Sequence, residues 1–396
     1  MKKAELVFIP TPGISHLVST VEVAKLLVDR DERLSITFLI MKLLLDTRVD
    51  RFIDSVSTAC NRIRFIHLSK YEPDPNQPNK SLFSLIESQK PNVKEEVSGL
   101  VSRSESSPGS PTLAGFVLDM FCTCMIDVAN EFAVPSYIFL TSGAAFLGLQ
   151  FYVQALHDEQ KVDPTEFKGS DAELVMPCLT NPLPAKVLPS VMLNKEWLPI
   201  LISTARRFRE TKGIMVNTFE ELESHSINSF SNGNTPPVYP VGPMLNLNRD
   251  GDRDVGSEKY KDIKQWLDDQ PPFSVVYLCF GSRGSFGVDQ VKEIACGLEQ
   301  SGHRFLWSLR QPPPKEMGLG VEIKMDYRKE MNSDGNDDIV SAGEIERGVR
   351  CLMELDNEKR ERLKEMSGKS RKALESGGTS STWLGRFIQD VMDHQP

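Results

Sequence analysis

One pattern repeats through the first half of the chain: a short apolar run with little polar alternation, then an amphipathic stretch. The runs are Leu6–Pro10, Ser35–Ile40, Ile63–His67, Leu113–Leu118, Pro135–Phe139 and Gly213–Asn217, all rich in Phe, Ile, Leu and Val. A strand with water on one face alternates apolar and polar residues; a strand covered on both faces does not. The stretches between them have helical spacing. His16–Asp29 puts Leu17, Val21, Ala24 and Leu27–Val28 on one face, and Phe121–Phe132 and Ser142–His157 are spaced similarly. This alternation predicts an α/β fold with a doubly wound parallel sheet.

A length of 396 residues suggests two such domains. Lys70–Lys80 and Ser102–Thr112 read as surface loops, and Ser231–Ser257, with its Pro and Gly clusters, as the domain boundary. The expected division is 1–240, a linker at 241–258, a second domain at 259–378 and a closing helix at 379–396. In the second domain Ser274–Cys279 reads as a strand, Phe280–Gly287 as a Gly-rich turn, Asp289–Ser301 as a helix and Arg304–Leu309 as a strand. The α/β rhythm breaks after Pro312-Pro313-Pro314. One apolar run, Gly320–Ile323, and a polar stretch, Asn332–Ile339, precede the helical patterns Ala342–Glu354, Glu358–Glu375 and Thr379–Met392.

Composition narrows the function. With 46 Lys+Arg against 55 Asp+Glu the net charge is −9, which argues against a nucleic-acid partner. No window approaches a membrane span, and the apolar stretch before Pro10 is too short for a signal-peptide core. Seven Cys are too sparse for a disulfide scaffold, so a cytoplasmic protein is expected.

Chemistry-bearing residues gather where strands end. In Pro10-Thr11-Pro12-Gly13-Ile14-Ser15-His16, His16 opens a helix just past a strand, at the sheet edge where open α/β folds bind ligands. An imidazole titrates near neutrality and suits removal of a proton from a hydroxyl. A helix N-terminal His without a role fits the spacing equally well. Asp119 ends the run Ala114–Leu118. Alone it reads as a helix N-cap; beside His16 it would fix the tautomer and stabilise the imidazolium. The turn Phe280-Gly281-Ser282-Arg283-Gly284-Ser285-Phe286-Gly287 would let backbone N–H groups approach a phosphate. It matches neither the P-loop nor the dinucleotide fingerprint, which disfavours a nicotinamide-dependent dehydrogenase. Asp250–Asp254 lacks the Gly and Glu of a calcium loop, and Cys122 with Cys124 has no second pair for zinc.

Together these stretches resemble the plant-type UDP-dependent glycosyltransferases of small molecules. The match runs through Phe8–His16, Asp119–Cys122 with Asp127-Val128-Ala129, Val134–Phe139 with Ser142–Ala145, and Gly213–Glu221. It continues through Tyr239–Pro243, Val275–Phe286, Phe305-Leu306-Trp307, Gly377–Ser380 and Phe387. The resemblance implies the GT-B architecture of two Rossmann-like domains and an inverting sugar transfer from a UDP-sugar, without metal, to a hydroxyl of a small lipophilic acceptor such as a flavonoid or phenol. His16 would be the base and Asp119 its orienting partner. Ser282 and Gly281 would meet the donor diphosphate and Thr141 the sugar. Ile14, Phe121, Ser142, Phe146 and Met192 would wall the acceptor pocket. A monomer is expected.

The resemblance breaks once. The family's Trp-Ala-Pro-Gln and His-Cys-Gly-Trp-Asn-Ser segments, a following Glu and an acidic-Gln pair have no counterpart. Of the four Trp, none precedes Ala, and the one Cys-Gly pair, Cys296-Gly297, follows Ala295. Several tens of residues are expected to be missing at about Met317–Leu319. The second sheet would then lack its third to fifth strands. The alternative to an active enzyme is a relative that binds acceptor without transferring sugar.

Overall fold

The computed structural model describes residues 2–41, 47–57, 60–69, 82–107, 109–245, 258–281, 286–309, 339–354 and 358–395. The chain forms two compact units. The first takes in Met1–Ala185, Val191–Asn248 and Ser367–Pro396; the second takes in Lys186–Ser190 and Arg249–Met366.

The first unit is built on a seven-stranded sheet. Its strands are β1 (Ala4–Ile9), β2 (Leu34–Ile40), β3 (Ile63–His67), β4 (Thr112–Asp119), β5 (Ser136–Leu140), β6 (Gly213–Val216) and β7 (Val238–Pro240). Their order is β3-β2-β1-β4-β5-β6-β7, and every pairing is parallel. The order reverses between β1 and β4, the switch point at which such sheets open a crevice. Every residue of β1 and β5 is buried. Leu6 and Phe8 join the core on one face of the sheet, Val7 and Ile9 the core on the other, as the two-residue strand period requires.

Helix α1 (Ile14–Arg30) buries Leu17, Val21, Ala24, Leu27 and Val28, the face read from the sequence. The last helix, Thr379–Asp393, adds Leu384, Phe387, Ile388 and Val391 to the same core. Polar contacts fasten it. Tyr137 Oη donates to Asp390 Oδ2 at 3.0 Å, Arg30 donates to Ser381 Oγ at 2.6 Å, and Trp383 Nε1 donates to Glu220 Oε2 at 3.2 Å.

Three expectations need correcting. Ser102–Thr112 is not all loop: the helix Lys90–Ser106 runs into it, carried by buried Val93, Val97 and Leu100. Its Ser-rich end concealed that apolar face. Phe121–Phe132 is not one helix but a single turn, Thr123–Met125, followed by a short helix, Ile126–Glu131. The Pro-rich start of the boundary segment contains β7, the outermost strand, where a Pro costs no ladder bond on its open side. No element was expected at Leu82–Ser88, Leu198–Phe208 or Glu220–Asn228, which are helical.

In the second unit β8 (Val275–Cys279) pairs in parallel with β9 (Arg304–Ser308). The helix Val288–Ser301 connects them and ends at Gly302, whose φ of +71° a side chain would strain. The helix Ala342–Met353 opens with a Ser341/Glu344 capping box. It lies against Gly297, where an added Cβ would sit 2.7 Å from Ile345 Cβ. Among the described residues this sheet has two strands. Tyr277 is 63% and Phe305 40% exposed on it. The Gly320–Ile323 run, the 317–319 junction, the 70–80 loop and most of Asn332–Ile339 lie outside the described residues.

Candidate active site

Strand register assembles the first part of the site. Ile9 of β1 pairs with Leu118 of β4, so the chain leaves β1 beside Asp119. The turn Pro10–Gly13 then reverses it into α1. Gly13 has φ +134°, a value that only Gly adopts readily. His16 follows in the first turn of the helix.

His16 Nδ1 lies 2.8 Å from Asp119 Oδ2, across 103 positions of sequence. The Asp119 side chain is fully buried, whereas the imidazole keeps 24% of its surface exposed. A carboxylate accepts and cannot donate, so Nδ1 carries the hydrogen and Nε2 is the basic nitrogen. Asp119 Oδ1 accepts from the Phe121 backbone N–H at 3.2 Å and from the Thr11 hydroxyl. The N-cap-like turn and the His partnership, alternatives in the sequence, are therefore both present on one carboxylate, one oxygen each. Cys122 lies behind it, with Sγ 3.7 Å from Thr11 Oγ1. Burial first, and the Asp119 charge second, push its thiol well above the ordinary range.

Aromatic rings surround the imidazole on one side. The Phe121 ring centroid is 5.8 Å from that of His16. Phe83 lies 5.7 Å from Phe121, edge to face, and Trp197 6.1 Å from Phe83. Phe121 was expected near His16 from the sequence, whereas Phe83 and Trp197 were not. Both lie in segments without a strand-end signal, and only the tertiary fold brings them here.

The other expected residues fall in different surroundings. Ile14 is half-buried and packs on the core beneath α1; Phe146 is half-buried against the opposite core. Thr141 and Ser142 follow the carboxyl end of β5, half-buried. The Asn217 N–H donates to Leu140 O at 3.0 Å and to Ser142 O at 3.2 Å. Glu223 accepts from the N–H groups of Ala144 and Ala145, both at 2.9 Å, and so closes the helix N-terminus beyond Ser142. Met192 is fully buried. In the second unit Gly281 holds φ +75°, and Ser282 lies outside the described residues. Among the described residues no group of three or more His, Cys, Asp and Glu could hold a metal ion, and no helix is long and apolar enough to cross a membrane.

No protein-family model matches the chain. Individual proteins do. It is 44% identical to anthocyanidin 3-O-glucosyltransferase 1 of Manihot esculenta over 466 positions, covering 96% of this chain and all of that one. It is 38% identical to a crystallised transferase of Siraitia grosvenorii in complex with UDP, with a TM-score of 0.82 over 98% of this chain and 100% of that one. A Medicago truncatula enzyme solved with UDP-glucose shares 34% identity, with a TM-score of 0.83 over 98% of both chains. The Manihot alignment of 466 positions exceeds the 396 residues of this chain by 70, so that relative carries positions with no counterpart here.

Proposed function

The chain belongs to the plant UDP-glycosyltransferases, transferases that use a UDP-sugar as co-substrate, and on that premise we propose that His16 is the base that activates a hydroxyl of a small lipophilic acceptor. The proton passes from the acceptor O–H to His16 Nε2. The acceptor oxygen attacks the anomeric carbon from the face opposite the diphosphate. The bond from that carbon to phosphate oxygen breaks and UDP leaves, inverting the centre. Asp119 holds the imidazole and balances its charge once protonated. The observation that carries this reading is the 2.8 Å contact between His16 Nδ1 and a fully buried carboxylate.

Phe121, with Phe83 and Trp197 beyond it, suits a flat aromatic acceptor, a flavonoid or simple phenol, because offset and edge-to-face contacts favour such rings. By the family resemblance alone, Ile14, Ser142, Phe146 and Met192 are assigned to the acceptor side and Thr141 to the sugar. The sugar is taken as glucose, because the Manihot esculenta relative is a glucosyltransferase and the Medicago truncatula relative was solved with UDP-glucose. Seven free thiols suit a reducing cytoplasm.

The donor side supports a second reading, acceptor binding without turnover. The family's uracil, ribose and phosphate contacts belong to the block this chain lacks, which leaves Gly281 and Ser282 for the diphosphate. The excess length of the Manihot alignment supports this, as do the exposed apolar residues of β8 and β9. Calorimetry with UDP, and product analysis with UDP-glucose and a panel of phenols, separate the two. Micromolar UDP binding with glucoside formation supports the enzyme. Acceptor binding with no UDP heat supports the second reading, and the absence of both overturns the site assignment.

A further inference from the structure

We propose that Thr11 is a positioning residue for this dyad, acting through Asp119, with the Cys122 thiol as its outer donor. The inference rests on the His16–Asp119 reading and deepens it.

The argument starts from the buried carboxylate. An anion without solvent needs donors on both oxygens. Oδ2 has His16; Oδ1 has the Phe121 N–H and the Thr11 hydroxyl. The donors on Oδ1 decide which oxygen faces the imidazole and draw charge away from it. Thr11 is itself buried, 2% exposed. Prolines on either side, Pro10 and Pro12, have fixed φ, and a β-branched side chain has few rotamers. The hydroxyl is thereby held where it stands.

Its single proton goes to Asp119, so in the 3.7 Å contact with Cys122 the sulfur must donate and Thr11 Oγ1 accept. Burial keeps that thiol protonated. The nearby Cys124 thiol, pushed up to about 12 by burial, also stays neutral where an imidazole titrates. The contacts run from Cys122 S–H to Thr11 Oγ1 and from Thr11 O–H to Asp119, which also accepts from His16 Nδ1–H, and Asp119 is the one anion among them.

The test reads the His16 titration by NMR in the full chain with isotope-labelled histidine, the signal assigned with His16→Gln. Thr11→Val keeps the shape and removes the donor. Negative charge then concentrates on Oδ2, and the His16 midpoint rises by about one pH unit, the scale of one hydrogen bond to a charged group. Thr11→Ser restores the original value. Cys122→Ala moves the midpoint in the same direction by a smaller amount, and it decides the matter should Thr11→Val fail to fold. Asp119→Asn serves as the control and lowers the midpoint. An unmoved midpoint in Asp119→Asn overturns the dyad itself. A midpoint moved by Asp119→Asn but by neither Thr11→Val nor Cys122→Ala overturns the role of Thr11 alone.

Discussion

Among the described residues the two units follow the same strand–helix–strand grammar and carry it to different lengths. In the first, seven parallel strands form one sheet, β1 and β5 are buried throughout, and Phe8, Phe38, Phe116 and Phe139 have no exposed surface. In the second, the described parallel strands number two, and Tyr277, Phe305, Phe273 and Leu309 are between 40% and 71% exposed. Parallel sheets are stable when helices cover both sides. A βαβ fragment supplies one helix between its strands and depends on further units for the rest. Local sequence signals can therefore be sound in both regions while, among the described residues, only the first shows buried cores on both faces of its sheet.

The largest effect that would sharpen this contrast lies in donor binding. Insertion of the corresponding segment of the Manihot esculenta relative at Met317–Leu319 should restore three or four charge-assisted contacts of roughly 1.5–3 kcal/mol each. UDP affinity measured by calorimetry should then rise at least about a thousandfold. A native chain that already binds UDP at micromolar concentration would break the comparison. In the restored chain His16→Ala should lower transfer about 10²–10⁴-fold; unchanged turnover would remove His16 from the mechanism.

Paired core substitutions come next. Phe387→Ala, in the first unit, should cost about 3–5 kcal/mol in denaturant unfolding. Tyr277→Ser, in the second, should stay within about 0.5 kcal/mol because the ring is already mostly in water. Equal losses would mean that the two units are equally packed.

The smallest effect is the response to acid. Arg33 holds the Asp31 carboxyl below its usual range by a side-chain hydrogen bond, and Arg206 does the same to Asp158. A carboxyl with a depressed folded pKa contributes stability above its unfolded value, near 4, and loses that contribution as the pH falls through the folded value. The melting temperature of the first unit should therefore drop below about pH 4. Asp158→Asn should flatten that slope by about 0.5 kcal/mol or less, since Arg206 is half exposed and solvent screens the pair. A steeper slope in Asp158→Asn would contradict the assignment.

Apolar runs were enough to place β1 to β6, most plainly for β1 and β5, which are buried throughout and so need apolar residues on both faces. Strand ends marked His16 and Asp119 as candidates, because parallel strands share one carboxyl edge. The spacing left each of them with a competing role, and their meeting at 2.8 Å depended on the register of β1 against β4. Thr11 lay in the marked Pro10–His16 turn but had no role there, and Phe83 and Trp197 carried no local signal. Their roles arise from contacts across tens to hundreds of positions, and hydrogen bonds and ring contacts act over a few ångströms of space, whatever the separation along the chain. The same reason concealed β7 in a Pro-rich stretch: its place is set by β6, the neighbour it pairs with.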